Sequence, residues 1–305
     1  GVRLVGSEMC IRDSFNIIAV LNFKYKNYYI MSSNENMILE LPKPFYIIAC
    51  DGGGVKGKVQ TRFLRKFEKY AQSIDKNFKI CNFFDMYAGT SIGALILCNF
   101  VNLQADAKTV DDNLSIDRMN KVMNKSWIDC TVDNMQFKPK YDGKNKTEEY
   151  YKIFGDNKFT DSHGKRILVL TFDVENEKVY AFKSEKEFDK LKTYTVVDAT
   201  TAAPTYFPTK SVSPCKIEGL ESTLWLADGG IVTNNPAMCA YADAVKYLRS
   251  IGQENRPIKV LSIGTGITNG KIEGKETKHY GGIEWLMNGI IAVSYTHLTL
   301  PTKRI

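Results

Sequence analysis

A chain of 305 residues that is 44% hydrophobic and 25% charged has the composition of a folded globular protein, which excludes disordered and collagen-like classes. The net charge of +7 is thinly spread, with +2 on residues 1–30, +2 on the last thirteen and +3 on the body, so no nucleic-acid partner is expected. The seven cysteines (10, 50, 81, 98, 130, 215 and 239) form no CxxC pair and suggest neither a zinc site nor a disulfide framework, and no apolar run reaches membrane-spanning length.

From Pro42 the chain reads as strands alternating with helices. Phe45–Cys50 (FYIIAC) predicts a buried strand running into Asp-Gly-Gly-Gly. Lys58–Gln72 carries Val59, Phe63, Phe67 and Tyr70 at helical spacing. Phe83–Ala88 predicts a second strand, Ile92–Leu103 a strongly apolar central helix, and Asp117–Trp127 a further helix. Asn134–Thr160, rich in Lys, Asn and Gly, reads as an irregular excursion over the surface. Ile167–Val174 and Val179–Lys183 predict strands, and Leu224–Ala227 leads into Asp-Gly-Gly. Pro236–Arg249 predicts a helix with proline in its first turn, and Ile258–Ile263 a strand ending in Gly-Thr-Gly. This alternation predicts an α/β fold in three layers, a mainly parallel central sheet with helices on both faces. The site is expected at the C-terminal ends of the strands, where the Gly-rich turns fall.

The two ends look foreign to that body. Gly1–Ser14 (GVRLVGSEMCIRDS) and Val293–Ile305 (VSYTHLTLPTKRI) resemble peptides translated from sequencing-adapter DNA. The expected organisation is therefore a non-native or read-through leader over 1–30, a native body over 31–292 starting at Met31 and lacking its natural C-terminus, and a non-native tail over 293–305.

Three motifs carry chemistry. Gly89-Thr90-Ser91-Ile92-Gly93 fits G-x-S-x-G, a serine on a sharp strand-to-helix turn whose flanking positions admit only glycine. The helix start behind Ser91 offers backbone N–H groups and a positive dipole end. Asp51-Gly52-Gly53-Gly54-Val55-Lys56-Gly57 admits three readings. As a dinucleotide fingerprint it needs an acid at the end of the next strand, and Asp75 lies before that strand. As a P-loop, Gly52–Lys58 lacks the following Ser or Thr, because Val59 stands there. As an oxyanion hole, consecutive glycines let N–H groups converge on a developing negative charge, and this reading alone also uses Ser91. Asp228-Gly229-Gly230 is by itself a common turn, and gains meaning only as a partner of Ser91.

Together these segments resemble the patatin family. Asp51–Gly57 is similar to its Gly-rich oxyanion motif, Phe84–Gly93 (FDMYAGTSIG) to its nucleophile segment, and Asp228-Gly229-Gly230 to its catalytic-aspartate motif. Ala199–Lys210 (ATTAAPTYFPTK), Ile258–Gly266 and Gly281–Leu286 resemble the family's intervening and following segments, in order. The resemblance implies a lipid acyl hydrolase with Ser91 as nucleophile, Asp228 as base, and Gly52, Gly53 and Gly54 as oxyanion donors. Asp51, Lys56, Gly57, Gly89, Gly93, Gly229 and Gly230 would support the motifs, and Lys56 stands where the family prefers arginine. It implies no metal and no cofactor and a lipid or phospholipid substrate; the scattered cysteines suggest a reducing, cytoplasmic compartment, and with no anchor visible any membrane contact is expected to be peripheral and transient. Oligomeric state stays open. A Ser91–Asp228–His279 triad follows the chain order of α/β-hydrolases, although His279 lies in a polar run; His163 precedes Asp228 and His297 lies in the tail. A nucleotide-binding module using Gly52–Lys58 is the reading outside the hydrolases. Phe83, Phe84, Tyr206, Phe207 and Trp285 are candidates to line an acyl channel, but an ordinary core role is the favoured reading of each.

Overall fold

A computed structural model describes residues 42–123, 139–213 and 223–266, together with four short strands outside them. These are β1 (Tyr29–Met31) paired with β2 (Ile38–Glu40), and β5 (Thr131–Val132) paired with β6 (Met135–Gln136). His279, Trp285, His297 and Gly281–Leu286 lie outside the described residues, as do the two adapter-like ends.

The body is built on a seven-stranded mixed sheet. Its strands are β3 (Phe45–Cys50), β4 (Met86–Thr90), β7 (Arg166–Asp173), β8 (Lys178–Lys183), β9 (Lys210–Val212), β10 (Leu224–Asp228) and β11 (Ile258–Ile263). β11, β3, β4 and β7 run parallel, β8 and β10 pair antiparallel with β7, and β9 pairs antiparallel with β10. β3 is buried along its whole length because helices cover both faces, and its side chains divide with period two. Tyr46, Ile48 and Cys50 enter the larger core, with Phe45, Ile47 and Ala49 in the smaller one.

The larger core is roofed by α1 (Gly57–Ile74), α2 (Ile80–Phe83), α3 (Ile92–Asn102), α4 (Ala107–Asn113), α5 (Ile116–Val122), α6 (Lys144–Phe154) and α7 (Thr193–Thr200). The opposite face packs on α8 (Ala237–Ser250) through Ala240, Ala244 and Leu248. This is the expected three-layer α/β arrangement. α3 is buried on every side, as its uniformly apolar sequence requires.

Three local expectations need correction. α1 does not bury the stripe of Val59 and Tyr70, which are exposed; it buries Gln60, Thr61, Leu64, Phe67, Glu68 and Ala71. Polar anchors set its rotation. Gln60 Nε2 donates to the Ile263 carbonyl at 2.7 Å, and Glu68 accepts from the N–H groups of Ile80 at 2.9 Å and Ala107 at 2.7 Å. The strand expected over Phe83–Ala88 starts later, at Met86, because Ile80–Phe83 forms a helical turn. Phe83 and Phe84 are core residues packed with Tyr46, Phe78 and Tyr87, not channel walls. Finally, the expected irregular excursion contains α6, whose buried face is Lys146, Glu149, Tyr150 and Phe154.

Candidate active site

The pairing of β7 brings the site together. On the edge of β7 opposite β8, Leu170 pairs with Thr90 of β4, and the next residue, Thr171, pairs with Asp228 of β10. The two strands approach head to head, so the residues that end them become neighbours although 137 positions separate Ser91 from Asp228.

Ser91 stands between β4 and α3 with φ 55° and ψ −125°, a conformation unfavourable for any residue with a side chain. Its carbonyl opens α3 by accepting from Ala94 N–H at 3.0 Å, and its own N–H donates to Thr200 Oγ1 at 2.9 Å. Thr200 Oγ1 in turn donates to the Leu170 carbonyl at 2.6 Å. Gly93 lies against β3, where a Cβ would press on the Cys50 carbonyl and come within 2.8 Å of the Asp51 carbonyl. Gly89 is likewise packed against the start of α3, at Ala94.

Ser91 Oγ donates to Asp228 Oδ2 at 2.5 Å, and both residues are buried. The other carboxylate oxygen, Oδ1, accepts from Gly230 N–H at 2.8 Å, and Asp228 N–H donates to the Ala202 carbonyl at 3.0 Å. Gly229 packs on the Leu170 carbonyl. Burial raises the Asp228 carboxyl to about 6, against the opposing pull of the Ser91 and Gly230 hydrogen bonds and the Lys146 charge.

The Gly-rich loop leaves β3 beside the serine: a Cβ on Gly52 would lie 3.3 Å from Ser91 Cβ. Gly52 N–H already donates to the Asn234 carbonyl at 3.1 Å, so it is engaged here and not turned to a ligand. Gly53 and Gly54 are exposed at the mouth, and Gly54 has φ 54°. Lys56 is exposed on the short 3₁₀ turn that follows, and Gly57 begins α1 against Ile92. Asp51 lies behind the loop with Oδ1 buried and unpartnered, and burial lifts its carboxyl to about 7.

Supporting contacts not foreseen from sequence gather at the C-terminal end of α7. Thr200 holds Ser91 and the Ala202 carbonyl holds Asp228. Lys146 reaches this segment from α6: its Nζ donates to the Asp198 carbonyl at 2.7 Å and to Thr201 Oγ1 at 3.3 Å, and pairs with Asp198 Oδ1 at 2.9 Å. Asp198 also pairs with Lys210 and accepts from Thr147 Oγ1 at 2.7 Å, and these partners hold its carboxyl below the usual range although burial opposes them. Tyr206 and Phe207 stack with Tyr141, and Lys146 Nζ lies 4.7 Å from the Phe207 ring centre.

Among the described residues, nothing at the loop supports nucleotide binding. Lys58 donates to the Asp111 carbonyl at 2.6 Å and pairs with its carboxylate, so its charge is already engaged. Asp75 follows the far end of α1, 18 residues and about 27 Å from the loop. His163 precedes β7, at the opposite end of the sheet from Ser91.

Comparison with known proteins identifies the family. The family model described as patatin-like phospholipase matches residues 48–241, well over half of the chain. Patatin-like protein 2 of Oryza sativa subsp. indica is 29% identical over 276 residues, covering 82% of this chain and 68% of its own length. Patatin-08 of Solanum tuberosum is 24% identical over 304 residues, covering 92% of this chain and 74% of its own. The crystal structure of VipD from Legionella pneumophila aligns with 83% of this chain and 68% of its own at 10% identity, with a TM-score of 0.42. The chain belongs to the patatin-like phospholipase family, a family of carboxylic-ester hydrolases acting on lipids.

Proposed function

We infer that this protein hydrolyses fatty-acyl esters of phospholipids or related lipids through a Ser91–Asp228 dyad. The observation that carries the reading is the direct 2.5 Å hydrogen bond from Ser91 Oγ to Asp228 Oδ2. In a Ser–His–Asp triad an imidazole stands between these two groups; here the carboxylate meets the hydroxyl itself. Asp228 takes the Ser91 proton as Oγ attacks the ester carbonyl, and the C=O electron pair moves to oxygen. The N–H groups of Gly53 and Gly54, together with the N-terminal end of α3, stabilise that oxyanion. Collapse of the tetrahedral intermediate expels the alcohol or lysolipid, which leaves with the proton from Asp228, and an acyl-enzyme remains. Asp228 then deprotonates a water that attacks the acyl-enzyme, and returns the proton to Ser91 as the fatty acid leaves. A carboxyl raised to about 6 is a better base than an ordinary carboxylate and is still largely ionised at neutral pH.

The test is covalent labelling of the full chain by a fluorophosphonate, with hydrolysis of a phospholipid followed alongside. Labelling and hydrolysis lost in Ser91→Ala and Asp228→Asn support the dyad; hydrolysis retained by both rejects it. His279→Ala separates the triad reading, since the dyad predicts that most activity survives the change.

A further inference from the structure

A mainly apolar groove lies beside the nucleophile turn and the Gly-rich loop. Gly54 of the loop and Ile92, the residue after Ser91, line one groove with Val55, Leu114, Ile116, Met119 and Met123. Its apolar edge stands clear of the protein: Val55 is 54% exposed, Val59 46% and Ile116 71%. Exposed large side chains grouped at the entrance of a cleft mark a contact surface.

The occupant is indicated by charge. Val55, Val59, Arg62, Lys66 and Lys69 are all exposed and follow one another at three- and four-residue spacing, so they form a single stripe, apolar at the mouth and basic beyond it. Lys58, Arg62 and Arg65 all converge on the one carboxylate of Asp111, so internal pairing leaves the cluster positive. The exposed acids of the neighbouring helices and their caps, Asp106, Asp112 and Asp117, are fewer than these cations, and Asp112 is held by Lys108 at 2.8 Å.

We propose that this rim, with Val55, Val59 and Ile116 backed by Arg62 and Lys66, docks on an anionic phospholipid bilayer and holds the mouth of the site against the lipid. The inference rests on the acyl-hydrolase reading for its purpose, but the surface is tested separately. Apolar side chains enter the headgroup region while the cations behind them meet lipid phosphates, as in other interfacial contacts. Among the described residues no helix is long and apolar enough to cross a membrane.

Co-sedimentation of the full chain with vesicles of phosphatidylcholine, and of phosphatidylcholine mixed with phosphatidylglycerol, tests it. Binding is expected to favour the mixed vesicles and to weaken with added salt. Arg62→Gln and Lys66→Gln should each weaken it about fivefold, and Ile116→Glu about tenfold or more. Val59→Glu and Arg62→Gln should hydrolyse a soluble short-chain p-nitrophenyl ester at the wild-type rate while losing hydrolysis of vesicle phospholipid. Equal binding of wild type to both vesicles, or undiminished binding by the variants, overturns the proposal. Ser91→Ala that still cleaves the soluble ester overturns the hydrolase mechanism instead, and leaves the sedimentation result for the surface intact.

Discussion

Thr90 and Asp228 pair with consecutive residues on one edge of β7, Leu170 and Thr171, although their strands run in opposite directions. The approach of Ser91 to Asp228 is therefore set by backbone register, not by flexible loops. Asp228→Glu keeps the charge but adds a methylene to a contact of 2.5 Å, and should lower kcat about a hundredfold. Steady-state kinetics on a soluble ester checks this, with KM expected to change little.

The pH profile follows from the burial of Asp228. As the base it must be ionised, so kcat/KM should rise with pH and level off above about 6. The Lys146 charge pulls that value down, so Lys146→Met should move the limb to higher pH and Lys146→Arg should leave it in place. Asp198 keeps Lys210 as a partner in either variant, which protects the fold while the profile is measured.

Stability should show the opposite face of the same group. A carboxyl raised from 3.8 to about 6 holds its proton more tightly in the folded state than in the unfolded chain. Its contribution to stability is thus best at low pH, declines as pH climbs through that interval and reaches its full cost above about 6. Asp228→Asn should gain about 1–3 kcal/mol over wild type at neutral pH, with the difference fading near 3.8. Urea denaturation at two pH values measures it.

Backbone strain at the nucleophile makes a fourth case. Ser91 has φ 55°, so Ser91→Gly should raise stability by about 1 kcal/mol where Ser91→Ala does not, and both should be inactive. Gly93→Ala should cost about 1–3 kcal/mol, because its Cβ has no room beside the backbone of Cys50 and Asp51. Thermal denaturation of the three variants separates relief of strain from loss of packing.

The parts of this molecule that are legible in its sequence share one property: their chemistry is local. Gly89, Ser91 and Gly93 announce a turn that only such residues can make, and α3 announces burial by being apolar all round. The apolar period of α1 is half right: Phe67 is buried and Phe63 packs on the core, whereas Val59 and Tyr70 stay exposed because Gln60, Thr61 and Glu68 turn inward to make buried hydrogen bonds that no hydrophobic period records. α6 has the composition of a surface segment because Lys146 and Glu149, charged residues, line its buried side. Thr200 stands within the segment Ala199–Lys210, whereas its hold on the Ser91 N–H depends on a contact across 109 positions. The antiparallel course of β10 is likewise hidden, since strand direction is a property of the pairing and not of LWLAD.

The head-to-head meeting of β4 and β10 also sets when the enzyme can become active. During synthesis the serine turn is complete long before residue 228 leaves the ribosome, and until β10 lies along β7 the nucleophile has no base. On the proposed dyad, a growing chain therefore carries a serine without its base until β10 has joined the sheet.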